Sequence, residues 1–363
     1  MPKKGERVYH RKDGLWEARY VKEIDANGKK KYGSVYARTC REAKEKRQNI
    51  EDNIRLYNRP LATRNMTVSQ LVNEWLFLNR NRLKISTYQR YLSFLNNHID
   101  GVVGKQPIIF FTTIAVHEFA LNRLEAGLQP QSVNSILTFL HACLRYGHRQ
   151  YNLPMPDIVY LTPNKKEMRV LSADEQRCLV SFLNEAMDIY KFGVLLALYT
   201  GLRIGELCGL RWEDIENDRI KIKRTVQRIN GQHGRTELHI GTPKTTTSAR
   251  EIPIPSFLMD KINYYRELHN NCQYVIALRG EEITDPRVMQ YKFKKYLKAA
   301  GIEKANFHSL RHTFATRCVE CGFEVKSLSE ILGHTKVNIT LNRYVHSSFE
   351  LKSNNMEKLS QIL

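Results

Sequence analysis

The sequence is short of cysteine, of acidic residues and of long apolar runs, and each shortage excludes something. Seven cysteines are scattered over 363 residues. An odd, dispersed set does not build a disulfide framework and points to a reducing compartment. No apolar run approaches the ~18 residues that a membrane helix needs. The longest, around Phe192–Tyr199, suits a buried helix. The opening stretch, MPKKGERVYHRKDG, carries charge but no apolar segment, so it does not read as a secretory signal. There is no internal repeat and no low-complexity tract. There is also no metal-ligand pattern: Cys318 and Cys321 make one CxxC with no second pair, inside an expected helix. A metal and any other cofactor are therefore not expected.

The acidic deficit is large. Asp and Glu number 37 against 57 Lys and Arg, a formal net charge of +20. Residues 1–60 carry net +8, residues 61–165 net +5 and residues 166–363 net +7. A charge excess spread in this way is not a basic tail. It favours a polyanionic partner met along the whole chain, nucleic acid first. The hydrophobic content of 42% excludes global disorder, and the length suits two or three domains.

Three segments differ in pattern. In the first, Arg7–His10, Leu15–Ile24 and Lys29–Tyr36 read as strands. Lys12-Asp13-Gly14 and Ala26-Asn27-Gly28 read as turns between them. Thr39 and Glu42 form a capping box before a charged helix from about Arg41 to Tyr57. Asn58–Met66 is a polar linker. In the second segment, Thr67–Asn79, Thr87–Ile99, Thr113–Ala126 and Pro130–His148 carry apolar residues at helical spacing, which predicts a small bundle. Asn152–Glu167, with three prolines, reads as the next linker. The third segment opens with a capping box at Ser172–Glu175. It continues with a buried helix at Ile189–Tyr199, one strand over Arg219–Asn230 that turns at Gly231–Gly234 and returns over Thr236–Ile240, and helices at Ser256–His269, Pro286–Ala300, Ser309–Cys321 and Val325–Leu332.

Four motifs in the third segment carry chemistry: Thr200-Gly-Leu-Arg203-Ile-Gly-Glu206-Leu, the Lys244 loop Thr242-Pro-Lys-Thr-Thr-Thr-Ser-Ala-Arg250, His308-Ser-Leu-Arg311-His312, and Leu332-Gly-His334 with Tyr344 ten residues on. Singly, each has a bland reading: a helix-start ion pair, a solvated loop lysine, a core histidine beside a surface arginine, an interface tyrosine. Together they form two arginines, one lysine, two histidines and one tyrosine without a carboxylate pair. That inventory suits covalent phosphoryl transfer. Arg203 and Arg311 have the fork geometry to hold the non-bridging oxygens of a phosphodiester. His334 adds a hydrogen bond, Tyr344 is the nucleophile, His308 is the nearest candidate base, and Lys244 is the candidate acid for the leaving 5′ oxygen.

These motifs, in this order over residues 169–350, resemble the tyrosine recombinases, also called the phage integrase family. All six positions match: Arg203, Lys244, His308, Arg311, His334 and Tyr344. Glu206 matches the acidic position after the first arginine. The resemblance implies a multidomain fold. Its parts are an N-terminal α+β domain of three strands and a helix (1–58), an all-α core-binding bundle (66–152), and a mainly α catalytic domain with a small β-sheet and a C-terminal tail (168–363). The layout is similar to that of integrases of conjugative transposons from Gram-positive bacteria. It implies integration and excision of a mobile element through a 3′-phosphotyrosine and a Holliday junction, without ATP. It further implies a homotetramer on double-stranded DNA, the tail (Phe349–Leu363) exchanged in trans, an excisionase or DNA-bending protein as further partners, no membrane, and a bacterial cytoplasmic, nucleoid-associated location. A type IB topoisomerase-like enzyme and a DNA-binding regulator without catalysis are the alternatives. Candidate DNA contacts are Arg19, Lys29, Lys31 and Tyr32 on the first sheet. Arg80, Arg82, Lys84, Ser86, Thr87 and Arg90 cluster at a helix junction, and Lys221, Lys223 and Arg224 lie by the later hairpin.

Overall fold

The computed structural model describes residues 7–24, 30–57, 65–163, 168–231, 236–242, 249–280 and 282–344. The chain divides into two compact units, Met1–Lys165 and Lys166–Leu363.

The first unit begins with strands β1 (Val8–His10), β2 (Trp16–Ile24) and β3 (Lys30–Ala37), antiparallel in that order, and helix α1 (Cys40–Tyr57). The period-2 pattern of β2 decides its faces. Ala18 is buried together with Val8, Ala37 and Ala43, and Trp16 and Val35 pack beside them. The Asp13 carboxylate accepts from the Leu15 amide and Gly14 takes φ +83°, which closes the first turn. The expected turn at Ala26–Gly28 lies outside the described residues. The Glu42 amide donates to Thr39 Oγ1, the N-terminal half of the expected capping box.

A helical region follows: α2 (Val68–Asn79), α3 (Ile85–Phe94), α4 (Thr113–Glu125) and α5 (Pro130–Tyr151). Thr67 and Gln70 close a capping box on α2. Its core gathers Leu71, Ile99, Phe111, Phe119, Ile136 and Phe139, with Tyr91 stacked on Phe139 at 4.3 Å between ring centres. Two details differ from the periodicity. The helix expected over Thr87–Ile99 starts at Ile85, and from Leu95 to Gly104 it continues with π-helical turns. The segment expected to be a free linker from Asn152 is instead packed against the bundle. Leu153 is buried, Met155, Ile158 and Leu161 rest on the core, and Asn134 holds Leu161 twice, donating to its carbonyl (2.7 Å) and accepting from its amide (2.8 Å). Its prolines exclude regular structure but not packing.

In the second unit α6 (Ala173–Asn184) starts at the Ser172–Glu175 capping box, and α7 (Ile189–Thr200) is buried on nearly every side, as its apolar sequence requires. Lys191, the charged residue in α7, is satisfied locally: its ammonium donates to the carbonyls of Phe182 and Glu185 at the negative end of α6. A short helix α8 (Ile204–Cys208) follows, then two small sheets. One has the order β4 (Ile215–Glu216), β5 (Arg219–Lys221), β8 (Glu251–Pro253); the other is the hairpin β6 (Thr225–Asn230) with β7 (Thr236–Gly241). The single strand expected over Arg219–Asn230 is therefore two strands in different sheets. Ile220, Ile222 and Val226 are all buried and the half-buried Arg224 falls at the same spacing, so the period-2 pattern carries through the switch and conceals it. Helices α9 (Ser256–Leu268), α10 (Pro286–Ala299), α11 (Phe307–Glu320), α12 (Val325–Leu332) and α13 (Val337–Tyr344) complete the unit. Among the described residues no helix is long and apolar enough to cross a membrane.

Substituting Asn134 by alanine removes both bonds to Leu161. The Leu161 amide should then exchange with solvent about tenfold faster, matching a local loss of about 1–1.5 kcal/mol. Hydrogen exchange on the folded protein checks this, and an unchanged rate would mean that apolar packing alone holds the segment.

Candidate active site

Helix α7 ends at Gly201 in the left-handed conformation (φ +65°), where a Cβ would lie 2.6 Å from the Phe314 ring. The chain then turns sharply and places Arg203 at the N-cap of α8. Glu206, one turn on and 5% exposed, accepts from the Arg203 amide (3.0 Å) and from Arg203 Nη1 (2.7 Å). A second arginine meets the same carboxylate: Arg250 donates from Nη1 to Oε1 (3.0 Å) and from Nη2 to Oε2 (2.9 Å).

The end of α12 is held by three guanidinium groups from three elements. A helix leaves its last carbonyls without partners, and they form the negative end of its dipole. Here Arg250 Nε donates to the Ile331 carbonyl (2.5 Å), Arg311 Nη2 to that of Leu332, and Arg203 Nη2 lies 3.4 Å from that of Gly333. Arg311 also donates to the Gly201 carbonyl at 2.8 Å. These bonds fix all three arginines to the main chain before any ligand arrives.

The electrostatics follow. Burial raises the cost of charge on Glu206, but Arg250 and then Arg203 outweigh it and hold the carboxyl down at about 2. Burial, with repulsion from Arg203 and Arg250, pushes Arg311 down to about 9, so it is charged at neutral pH but under strain. A site with that balance favours an anion.

Arg203, Glu206, His308, Arg311, Gly333 and His334 line a single open cavity of about 810 Å³, together with Arg228 and Arg287. His308 is exposed in the first turn of α11, whose N-cap, Asn306, accepts from the His308 and Ser309 amides. His334 follows the αL residue Gly333, and its Nδ1 is hydrogen-bonded to the buried Thr340 hydroxyl at 2.8 Å. Four of the six expected residues are thus brought together. Tyr344 is not among the cavity's lining residues. It is 6% exposed, packed with Ala315, Cys318, Leu328 and Leu332. Its hydroxyl shares a 2.8 Å hydrogen bond with Nδ1 of His312. The histidine bonded to this phenol is His312, while His308, the expected base, lines the cavity. Lys244 lies outside the described residues.

The expected DNA contacts fall in different surroundings. Arg19 and Tyr32 share the outer face of the first sheet, where three guanidiniums lie over three half-exposed rings: Arg7 on Tyr32 (5.0 Å), Arg11 on Tyr36 (5.0 Å) and Arg19 on Tyr9 (5.5 Å). Arg19 also pairs with Glu17 at 2.9 Å. Lys31 is exposed on β3, and Lys29 lies outside the described residues. Lys84 is the N-cap of α3, with Ser86 and Thr87 in its first turn and Arg90 one turn on; Arg80 lies over Phe77. Lys221 and Lys223 are drawn into ion pairs with Glu216 (2.5 Å) and Asp214 (3.4 Å), and Arg224 contacts Asp214 as well. Their charge is locally balanced, as is that of Arg19.

Sequence reasoning missed Arg250 and Thr340. Arg250 had one signal: a charged residue leading directly into the apolar alternation Ile252–Ile254. Thr340 had none, since its value lies in a contact six residues back.

Comparison with known proteins gives two matches to family models: "Phage integrase family" over residues 169–350 and "Phage integrase, N-terminal SAM-like domain" over residues 67–124. The chain is 27% identical to a tyrosine recombinase XerC-like protein of Caldanaerobacter subterraneus, across 93% of this chain and 94% of that one. It is 24% identical to the ICEBs1 integrase of Bacillus subtilis, across 89% of each. Among solved structures it is similar to the Tn1549 transposon integrase in complex with transposon right end DNA (TM-score 0.68, 25% identity, 81% of this chain and all of that one). It also shares the fold of a lambda integrase tetramer bound to a Holliday junction (TM-score 0.58, 20% identity, 95% and 98%).

The Glu206 network should leave a pH signature. Its folded-state pKa is depressed, so its contribution is full above about 4.5 and is lost as pH falls toward about 2. Glu206→Gln should lower stability by about 3 kcal/mol at neutral pH, the usual cost of breaking a buried pair. The Tm gap between the two proteins should narrow steadily below about pH 4.5; a gap independent of pH would show that charge is not its source.

Proposed function

The chain belongs to the phage integrase family of tyrosine recombinases, enzymes that break and rejoin DNA, and from that premise we propose that it is the site-specific integrase of a mobile genetic element. The observation that carries the reading of the site is the meeting of Arg203, Arg311, His308 and His334 on one cavity backed by a buried Glu206–Arg250 pair.

In the proposed reaction the scissile phosphate enters the cavity with its non-bridging oxygens against Arg203 and Arg311, and His334 donates to the same oxygens. Both guanidiniums are already bonded to main-chain carbonyls, so little reorganisation accompanies charge build-up on phosphorus. The Tyr344 oxygen attacks phosphorus and gives its proton to a base, for which His308 is the candidate in the cavity. Tyr344 must first leave its bond to His312, which places a conformational step before chemistry. The P–O5′ bond breaks, and Lys244 protonates the leaving oxygen. The phosphotyrosine keeps the bond energy, and a 5′-hydroxyl from a second strand reverses the steps to rejoin.

The modular reading is part of the proposal. Residues 1–58 form an arm-type reader whose Arg–Tyr sheet face meets DNA, through Arg19 and Tyr32 among others. Residues 66–152 form the core-binding bundle, with Lys84, Ser86, Thr87 and Arg90 at the start of α3 offering amides and charge to phosphates. Residues 168–363 are catalytic. Lambda integrase forms a tetramer on a Holliday junction, and by likeness this chain would assemble in the same way on its element ends and target. Its tail would be exchanged in trans, and an excisionase or a DNA-bending protein would set direction, in the bacterial cytoplasm at the nucleoid.

A duplex carrying the junction of the element's ends, nicked beside the cut site, should trap a covalent 3′ adduct. Tyr344→Phe should abolish that adduct; adduct formation by the variant would overturn the nucleophile assignment. Lys244→Ala should slow cleavage about 100-fold on an ordinary 5′ oxygen and far less on a 5′-bridging phosphorothiolate, whose sulfur leaves without a proton. Equal rates for the unaltered chain and Lys244→Ala on the ordinary substrate would remove Lys244 as the acid.

A further inference from the structure

Arg250 has no place in the reaction just described, yet it is bonded to the parts that do. Its side chain is 5% exposed and does not line the cavity. It closes a two-pronged bond on Glu206, donates to the Ile331 carbonyl at the end of α12, and lies so close to Gly333 that a Cβ there would be 2.9 Å from Arg250 Cδ. Its own carbonyl accepts from the Ile222 amide at 2.9 Å, which ties it to the end of β5.

Resting on the recombinase reading, we propose that Arg250 is a positioning residue for strand cleavage, acting on the scissile phosphate through Glu206 and Arg203. The argument is one of charge and geometry. The Glu206 carboxylate accepts from Arg203 Nη1 and Arg250 Nη1 at one oxygen, and from the Arg203 amide and Arg250 Nη2 at the other. It is shared, so it fixes the plane of the Arg203 guanidinium without cancelling its charge. With Arg250 removed, Glu206 would neutralise Arg203 one to one, and the positive excess of the buried cluster would fall by one at the place where phosphate charge develops. A buried arginine behind the site thus raises the potential in it while touching no substrate. The same residue anchors the α12 carbonyl that lies three positions before His334. A purely architectural ion pair would stabilise the fold and leave the chemistry indifferent to substrate charge.

The test uses the full chain and single-turnover adduct formation on the nicked element-end duplex. Two versions are compared, one with a natural phosphodiester and one with a neutral methylphosphonate at the scissile position. Arg250→Met should slow adduct formation about 30-fold or more on the phosphodiester, somewhat less than loss of a donor that touches the phosphate. On the methylphosphonate, which is neutral at the start and carries one negative charge fewer in the transition state, the loss should shrink to about threefold or less. Adding Glu206→Gln to Arg250→Met restores the net charge and should recover at least about fivefold on the phosphodiester. Equal losses on the two substrates, or no loss on either, would overturn the proposal. Should Arg250→Met melt below the assay temperature, Arg250→Gln, which also removes the charge but keeps a hydrogen-bond donor for Glu206, supplies the same substrate ratio. Failure of the unaltered chain to form any Tyr344-dependent adduct would overturn the recombinase reading itself, and this proposal with it.

Discussion

A single buried carboxylate organises the second unit. Glu206 sits in α8, the short helix after the apolar helix α7, and meets two guanidiniums that sequence places 47 residues apart. A buried acid without partners would cost several kcal/mol or give up its charge. Here the partners make ionisation cheaper than in water, and they are thereby brought together. Arg203 and Arg250 then reach the same helix end as Arg311, so three arginines that repel one another share one source of negative potential: the Glu206 carboxylate and the open carbonyls of α12. The positive cavity is a consequence of this inner shell of anions.

That arrangement explains why the fold needs its two left-handed glycines there. Gly201 ends α7 where the Phe314 ring leaves no room, and its carbonyl becomes a ligand for Arg311. Gly333 ends α12 where Arg250 leaves no room, and its carbonyl faces Arg203. Each glycine both stops a helix and supplies an acceptor. The chain reversals that build the core are the same ones that hold the guanidiniums.

Much of this was legible in the sequence. Helical and strand periods, the caps at Thr39 and Ser172, and glycines after Thr200 and Leu332 locate the main elements because each rests on local chemistry. The clustering of Arg203, His308, Arg311 and His334 was readable only as a set, since each residue alone has an ordinary role. What was hidden depends on contacts that spacing does not encode. The switch of sheets between Lys221 and Thr225 is masked because Ile220, Ile222 and Val226 keep the same spacing across it. The packed segment from Leu153 to Leu161 is masked by its prolines, and the choice of His312 for Tyr344 depends on how α13 lies on α11. Arg250 was not singled out because its partner is 44 residues away. Lys221 and Lys223 looked like free charges until their carboxylates were placed beside them.

The bond between Tyr344 and His312 has a consequence for life on a chromosome. A basic protein that grips phosphates without regard to sequence spends most of its time on the wrong ones. On the proposed reading, a nucleophile buried at the side of the cavity makes such visits harmless, because grip and attack are separate events. Nicks are then confined to places where something beyond a phosphate frees the phenol. The genome's protection lies in where an oxygen rests between encounters, and it does not require weak binding.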